Sequence, residues 1–329
     1  MKVAFISILS NLEIRTEINS NSYAGMELIK AGANIRGYQD RQFMNSIGTF
    51  TFRGFMNKPC LYMNEEMAPE GSRLSQMTEG MIRVRGVVEY ILLSLWLVKD
   101  NAVNADLIVS RSEDGHIIEN KAKTTLSTSD GEFGSTQFSE QELKDSQRWF
   151  SLLGETAFGN GVEKRGMPGE TTAFFHYIES DKLSPYHRAD RFQRMLRFIA
   201  LARSQSSLFA KITFYISALE AALSTSSSES DVQVTDSASR VLGNDSDERL
   251  QLTRIISTAY AFRSTYIHGS VHDQENFKNK MVPFESAAEL ADGMDSILRK
   301  MTKDFLTELN HVPALPEEEF SVWIKGFPG

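Results

Sequence analysis

The apolar positions of this chain change period part-way along, and the change divides it in two. Up to about residue 60 the apolar runs are short and dense in β-branched and aromatic residues. VAFISIL at 3–9 and IGTFTFRGF at 47–55 predict strands. A helical period then extends from Ser72 to Lys99, with APEG before it as a breaker. DLIVSRSEDGHIIEN, residues 106–120, predicts a β-hairpin turning at Asp114-Gly115. Residues 121–138 are Ser/Thr/Gly-rich and read as loop. FSEQELKDSQRWFSLL follows as a helix, with Ser139 and Glu142 spaced as a capping box. GNGVEKRGMPG is a second loop, and TTAFFHYIES fits a strand or a helix.

The character changes near Ser184-Pro185. From there to about Asn310 nearly every segment has a helical period. Phe192, Met195, Leu196, Ile199 and Ala202 form one stripe, and Ile212 to Leu223 form a second helix. STSSSESD, 224–231, is a polar connection. A short helix around Ser237 to Leu242 ends at Gly243, and NDSDE then supplies N-cap candidates and acidic first-turn residues for the next helix. A last helix spans about Phe284 to Leu309. The tail HVPALPEEEFSVWIKGFPG is Pro/Glu-rich and either packs through Trp323 or is loose. The expected fold class is mainly α: an α+β N-terminal region over 1–180 of sensory or regulatory role, a helical bundle over 185–312 and a tail over 313–329. No internal repeat is visible.

Composition narrows the function classes. With 41% hydrophobic and 24% charged residues, the chain has the balance of a globular protein with a real core. Its net charge of -8 argues against a chain-wide footprint for nucleic acid, so any such site is a local patch. The one cysteine, Cys60, allows no internal disulfide or Cys-based zinc site, which fits a reducing, cytoplasmic setting. MKVAFISILSN lacks a small-residue cleavage pattern and reads as a buried strand rather than a signal peptide. VVEYILLSLWLV, 87–98, is too short to span a bilayer and carries Glu89; it reads as a buried helix, with no membrane role. Walker-type phosphate loops, GxGxxG, GxSxG and HExxH are all missing. No cofactor is expected. His268 and His272 have i,i+4 spacing, but Gly269 lies between them as a helix breaker and a third ligand is missing, so no metal is expected either. The acidic runs Glu65-Glu66 and Glu317 to Glu319 read as solvated surface.

One stretch does not fit this bland picture: AYAFRSTYIHGSVH, 259–272. Leu252, Ile255, Ile256, Ala259, Phe262, Tyr266 and Ile267 fall on one broad helix face, and Arg263 falls in the middle of it. A buried-face arginine either snorkels or pairs with an acid, for which Glu220 on the neighbouring helix is the candidate. On a continuous helix five positions separate Arg263 from His268 by about 140°, so the two converge only if the helix ends before the histidine. HGS supplies that ending. An arginine and a histidine without metal ligands suffice for RNA cleavage: the imidazole moves a proton at the 2′-hydroxyl or the leaving oxygen, and the guanidinium offsets the extra charge on the phosphate. Between Lys182 and Lys211 there are also seven Lys/Arg against one Asp. Arg191, Arg194 and Arg197 lie off the apolar stripe there, as a candidate guide for an RNA backbone or simply a solvated basic face.

RSTYIHG matches the Arg-x4-6-His signature, and the chain resembles HEPN domains, in particular the Apea-like branch. The resemblance rests on FYISALEAALSTSSSE (214–229), SASRVLG (237–243) and ISTAYAFRSTYIHG (256–269), and covers roughly residues 185–310. It implies a HEPN-type helical bundle that forms a homodimer and a metal-independent endoribonuclease, in prokaryotic defence, abortive infection or toxin–antitoxin biology. By the same resemblance Arg263 and His268 are the catalytic pair and Ser264 assists. Glu220 and Tyr266 support the site, RNA is the partner, and a regulatory or antitoxin protein is a possible second one. Some HEPN domains are non-catalytic scaffolds, which is the alternative expectation.

Overall fold

The computed structural model describes residues 1–15, 22–38, 40–67, 72–121, 124–159, 189–225, 231–267 and 284–327. The chain divides into two compact units. One comprises Met1–Leu126 with Phe133–Glu179, the other Ser127–Glu132 with Ser180–Gly329. The whole is mainly helical, with an antiparallel sheet in the N-terminal part.

The first unit is built on β1 (Lys2–Ser10). Its seven central residues are all buried, because both faces of the sheet are covered. Val3, Phe5 and Leu9 pack into one core with the long helix α3 (Arg73–Val98). Ala4, Ile6 and Ile8 point the other way, into a core with Phe43 and Phe55. Those two phenylalanines belong to α1 (Arg41–Ile47) and α2 (Thr49–Asn57). The expected strand at 47–55 is therefore a correction. Phe52 and Phe55 lie three apart on a helix face and close on Phe43, with ring centroids 6.3 and 5.4 Å away. Asp40 caps α1 and Gly48, at φ 83°, turns the chain into α2. A short run of aromatics satisfies either period, and the need to cover the second face of the sheet decides for helix.

Around β1 the six-stranded sheet runs β3 (Ser22–Tyr23), β4 (Met26–Ile29), β5 (Cys60–Glu66), β1, β6 (Asn104–Ser112), β7 (Ile117–Lys121). Every neighbouring pair is antiparallel. β6 and β7 form the expected hairpin, with Gly115 at φ 89° in its turn. A separate parallel pair joins β2 (Leu12–Ile14) to β8 (Thr136–Phe138), inside the stretch read as loop. The capping box forms at α4 (Glu140–Gly159): the Ser139 amide donates to the Glu142 carboxylate at 2.8 Å, and the Glu142 amide to the Ser139 hydroxyl at 3.3 Å. Cys60 is a fully buried core thiol, and burial pushes its pKa up to about 12, away from the thiolate form. Glu65 is not simply solvated surface, since it pairs with Arg83 at 2.7 Å.

The second unit packs α5 (Arg191–Arg203), α6 (Leu208–Leu223), α7 (Asp231–Leu242), α8 (Ser246–Ile267), α9 (Ala287–Leu306) and α10 (Glu317–Gly326). α6 touches α5, α7, α8 and α9, and none of its sixteen residues is exposed. Its buried polar groups are satisfied. The Lys211 ammonium donates to the Ser127 hydroxyl and the Ala202 carbonyl, each at 3.0 Å. The Tyr215 hydroxyl donates to Asp295 at 2.9 Å, and Arg299 pairs with the same carboxylate. Acids at the start of α8 cap it: the Glu248 amide donates to Asp245, just before the helix, at 2.8 Å, and the Asn244 amide to Glu248, in its first turn, at 2.9 Å. The tail is not loose. α10 buries Phe320 and Ile324, and Trp323 packs edge-on to Phe327 at 5.2 Å.

Glu89, on α3, sets a pH dependence. Its carboxyl oxygen Oε2 is enclosed without a hydrogen-bond partner among the described residues, and burial pushes its pKa from 4.5 up to about 8 although Arg85 opposes the shift. Between those values the unfolded chain releases a proton that the folded chain holds, so this group lowers stability as pH rises through the interval. Urea denaturation of Glu89→Gln should show a smaller loss of stability between about pH 4.5 and about pH 8 than the wild type shows.

Candidate functional site

The Arg263 site is assembled by two helices of the second unit. α8 carries Arg263 as the penultimate turn of its described length, and α6 presents Glu220 near its C-terminus. The helices are brought together by packing below the pair. Phe209 of α6 stacks on Phe262 at 4.7 Å and on Tyr266 at 4.9 Å, and Ile256, Ala259 and Phe262 are buried. Arg263 therefore does not snorkel free of the stripe. Its Nη1 donates to Glu220 Oε1 at 2.9 Å, and its Cζ sits 5.1 Å from the centre of the Tyr260 ring.

This pair is only half-buried. The Arg263 side chain is 26% exposed and that of Glu220 34%. One carboxylate oxygen engages one nitrogen of the guanidinium, and an arginine has five N–H donors. The site is thus a neutralised cation with donors to spare for a second, anionic ligand. Ser264 lies exposed beside it. Tyr266 and Ile267, expected on the apolar face, are 44% and 60% exposed, so the stripe is open at its C-terminal end. His268, Gly269 and His272 lie outside the described residues, as do the segments GNGVEKRGMPG and TTAFFHYIES.

The basic segment on α5 is not the open face that its wheel suggested. Arg191 is 5% exposed: its guanidinium donates to the Ser224 carbonyl, pairs with Glu317 at 2.5 Å and lies 3.8 Å over the Phe320 ring. It holds α5 to the end of α6 and to α10, and is no guide for RNA. Arg194 donates to the Ala189 carbonyl at 2.7 Å, and both Arg194 and Arg197 are half-buried. A wheel drawn for one helix cannot show that a tail far along the chain covers its polar side.

Tyr260 was passed over in the sequence, though it stands three residues before Arg263 and so on the same side of the helix. Tyr260 is 6% exposed and its hydroxyl closes no hydrogen bond among the described residues, although it approaches the Glu220 carboxylate. Burial raises its pKa well above the ordinary phenol range, and the charge of Glu220 and the hydroxyl's approach to that carboxylate add to the rise. Among the described residues no group of three or more His, Cys, Asp or Glu is placed to hold a metal ion, and no helix is long and apolar enough to cross a membrane.

No family model, curated protein or solved structure matches this chain.

The two kinds of contact at the site carry different energies. A half-buried ion pair lies between the exposed and buried limits and costs about 1–2 kcal/mol to break, whereas emptying a buried aromatic position costs about 3–5 kcal/mol. In urea unfolding, Arg263→Ala should lower stability by about 1–2 kcal/mol and Phe262→Ala by about 3–5 kcal/mol, so that the packing of Phe262 proves the larger contribution to the fold.

Proposed function

We propose that the helical unit is a metal-independent endoribonuclease of the HEPN type that acts as a homodimer. The observation that carries this reading is Arg263 itself: a guanidinium held by Glu220, still a quarter exposed, one turn ahead of an open apolar helix end at Tyr266 and Ile267. An arginine kept only for folding needs neither the exposure nor the spare donors. Exposed aromatic and aliphatic side chains at the same helix end suit a second copy of the chain, which would bring two Arg263/His268 pairs together across a two-fold axis.

In this reading His268 takes the proton from the ribose 2′-hydroxyl or returns one to the departing 5′-oxygen. The 2′-oxygen bonds to phosphorus as the P–O5′ bond breaks, leaving a 2′,3′-cyclic phosphate and a 5′-hydroxyl. Arg263 offsets the charge that accumulates on the phosphate oxygens, and Ser264, exposed next to it, donates a further hydrogen bond. The setting proposed is prokaryotic defence or toxin–antitoxin biology, with the N-terminal unit as sensor or restraint.

The Glu220–Arg263 bond favours a second reading, a non-catalytic dimeric scaffold in which the acid permanently neutralises the arginine. RNA cleavage in excess EDTA separates the two. Wild-type protein should leave 2′,3′-cyclic phosphate ends, and Arg263→Ala and His268→Ala should each lower the rate at least ~100-fold, the scale of a lost acid–base or charge-stabilising group. Equal inertness of all three on structured and unstructured RNA would favour the scaffold. Equal cleavage by all three would move the activity away from these residues.

A further inference from the structure

A phosphodiester that takes Arg263 must do something about Glu220. The carboxylate is two-thirds enclosed, and losing its cation leaves it both unpaired and beside a second negative charge. Tyr260, whose ring already lies under Arg263, has a buried hydroxyl that approaches the Glu220 carboxylate but closes no hydrogen bond among the described residues. We propose that Tyr260 is a positioning residue of the site: when an RNA phosphate engages Arg263, the Glu220 carboxylate passes from the guanidinium to the Tyr260 hydroxyl. The exchange conserves hydrogen bonds. Before it, Glu220 accepts from Arg263 and the phenol approaches the carboxylate without closing a bond; after it, Arg263 donates to the phosphate and the phenol donates to Glu220.

Three features of the site fit this device. The phenol stays protonated and able to donate, since burial, Glu220 and, more weakly, Asp231 all raise its pKa. Its ring can remain under the guanidinium in both arrangements, so only the carboxylate has to turn. The Arg263–Glu220 contact is through a single nitrogen, so it can be given up without breaking a bidentate clamp.

The inference rests on the ribonuclease reading and adds to it a cost that RNA must overcome on entry. The test uses the full chain in EDTA and a 2′-O-methyl oligoribonucleotide, which presents the phosphates but lacks the free nucleophile, with affinity read by fluorescence anisotropy. Tyr260→Phe keeps the buried ring and removes only a hydroxyl that closes no hydrogen bond in the unbound protein, so the fold is retained, as circular dichroism would check. It should bind the oligonucleotide roughly tenfold more weakly than wild type, the worth of one hydrogen bond to a charged group. In a Glu220→Gln background the same change should have little effect, because there is no charge left to hand over. That coupling is the readout a merely structural tyrosine would not produce. Equal affinity of Tyr260→Phe and wild type, or the same loss in both backgrounds, would overturn the exchange. A wild type that cleaves RNA while Tyr260→Phe is unaffected removes the exchange alone; a wild type that neither binds nor cleaves RNA removes the ribonuclease reading and the exchange with it.

Discussion

The helical unit depends on burying one helix on every side. α6 has no exposed residue, so its sequence, LFAKITFYISALEAAL, is apolar almost throughout and each polar exception must find a partner inside the bundle. Lys211 and Tyr215 do so with groups from the Ser127 segment, α5 and α9. Glu220 is the last exception, near the end of the helix where enclosure loosens, and its partner is Arg263. The candidate site is therefore a consequence of the packing. A half-enclosed carboxylate on such a helix needs a donor from a neighbour, and α8 supplies a cation from the middle of its own apolar stripe.

The N-terminal unit solves the opposite problem, a strand buried on both faces. β1 alternates between two cores, one closed by α3 and the other by α1 and α2. That constraint explains why VAFISIL is apolar at every position but Ser7, and why the aromatic run after Gly48 is needed as a covering layer rather than as another strand.

How much of this was legible follows from the length of each signal. Long helices with a sustained stripe were readable to within a few residues: α3 was expected from Ser72, which caps it, and α5 buries each of the five stripe residues. IGTFTFRGF misled because nine residues cannot separate two periods. Arg191 misled because its burial comes from Phe320 and Glu317, more than a hundred positions away. Glu220 was readable as a candidate partner of Arg263, since an arginine on an apolar face either snorkels or pairs with an acid. The unclosed hydrogen bond of the Tyr260 hydroxyl was not, because no spacing rule reports whether a buried donor has been satisfied.

The energetics of the site favour a switchable arginine over a fixed one. A fully buried ion pair would be too costly to open, since removing one partner strands the other at several kcal/mol, and a fully exposed pair would position nothing. Arg263 and Glu220 lie between these limits, with about a quarter and a third of their side chains open to solvent. In that range the pair orients the guanidinium while leaving it within reach of a stronger anion. A phosphate competes for arginine through the same charge-assisted, planar hydrogen bonding as a carboxylate, so the balance is set by what becomes of the displaced Glu220. A protonated phenol beside it lowers that cost without adding charge, and this is chemistry that a phenylalanine, equally good for packing, would not supply.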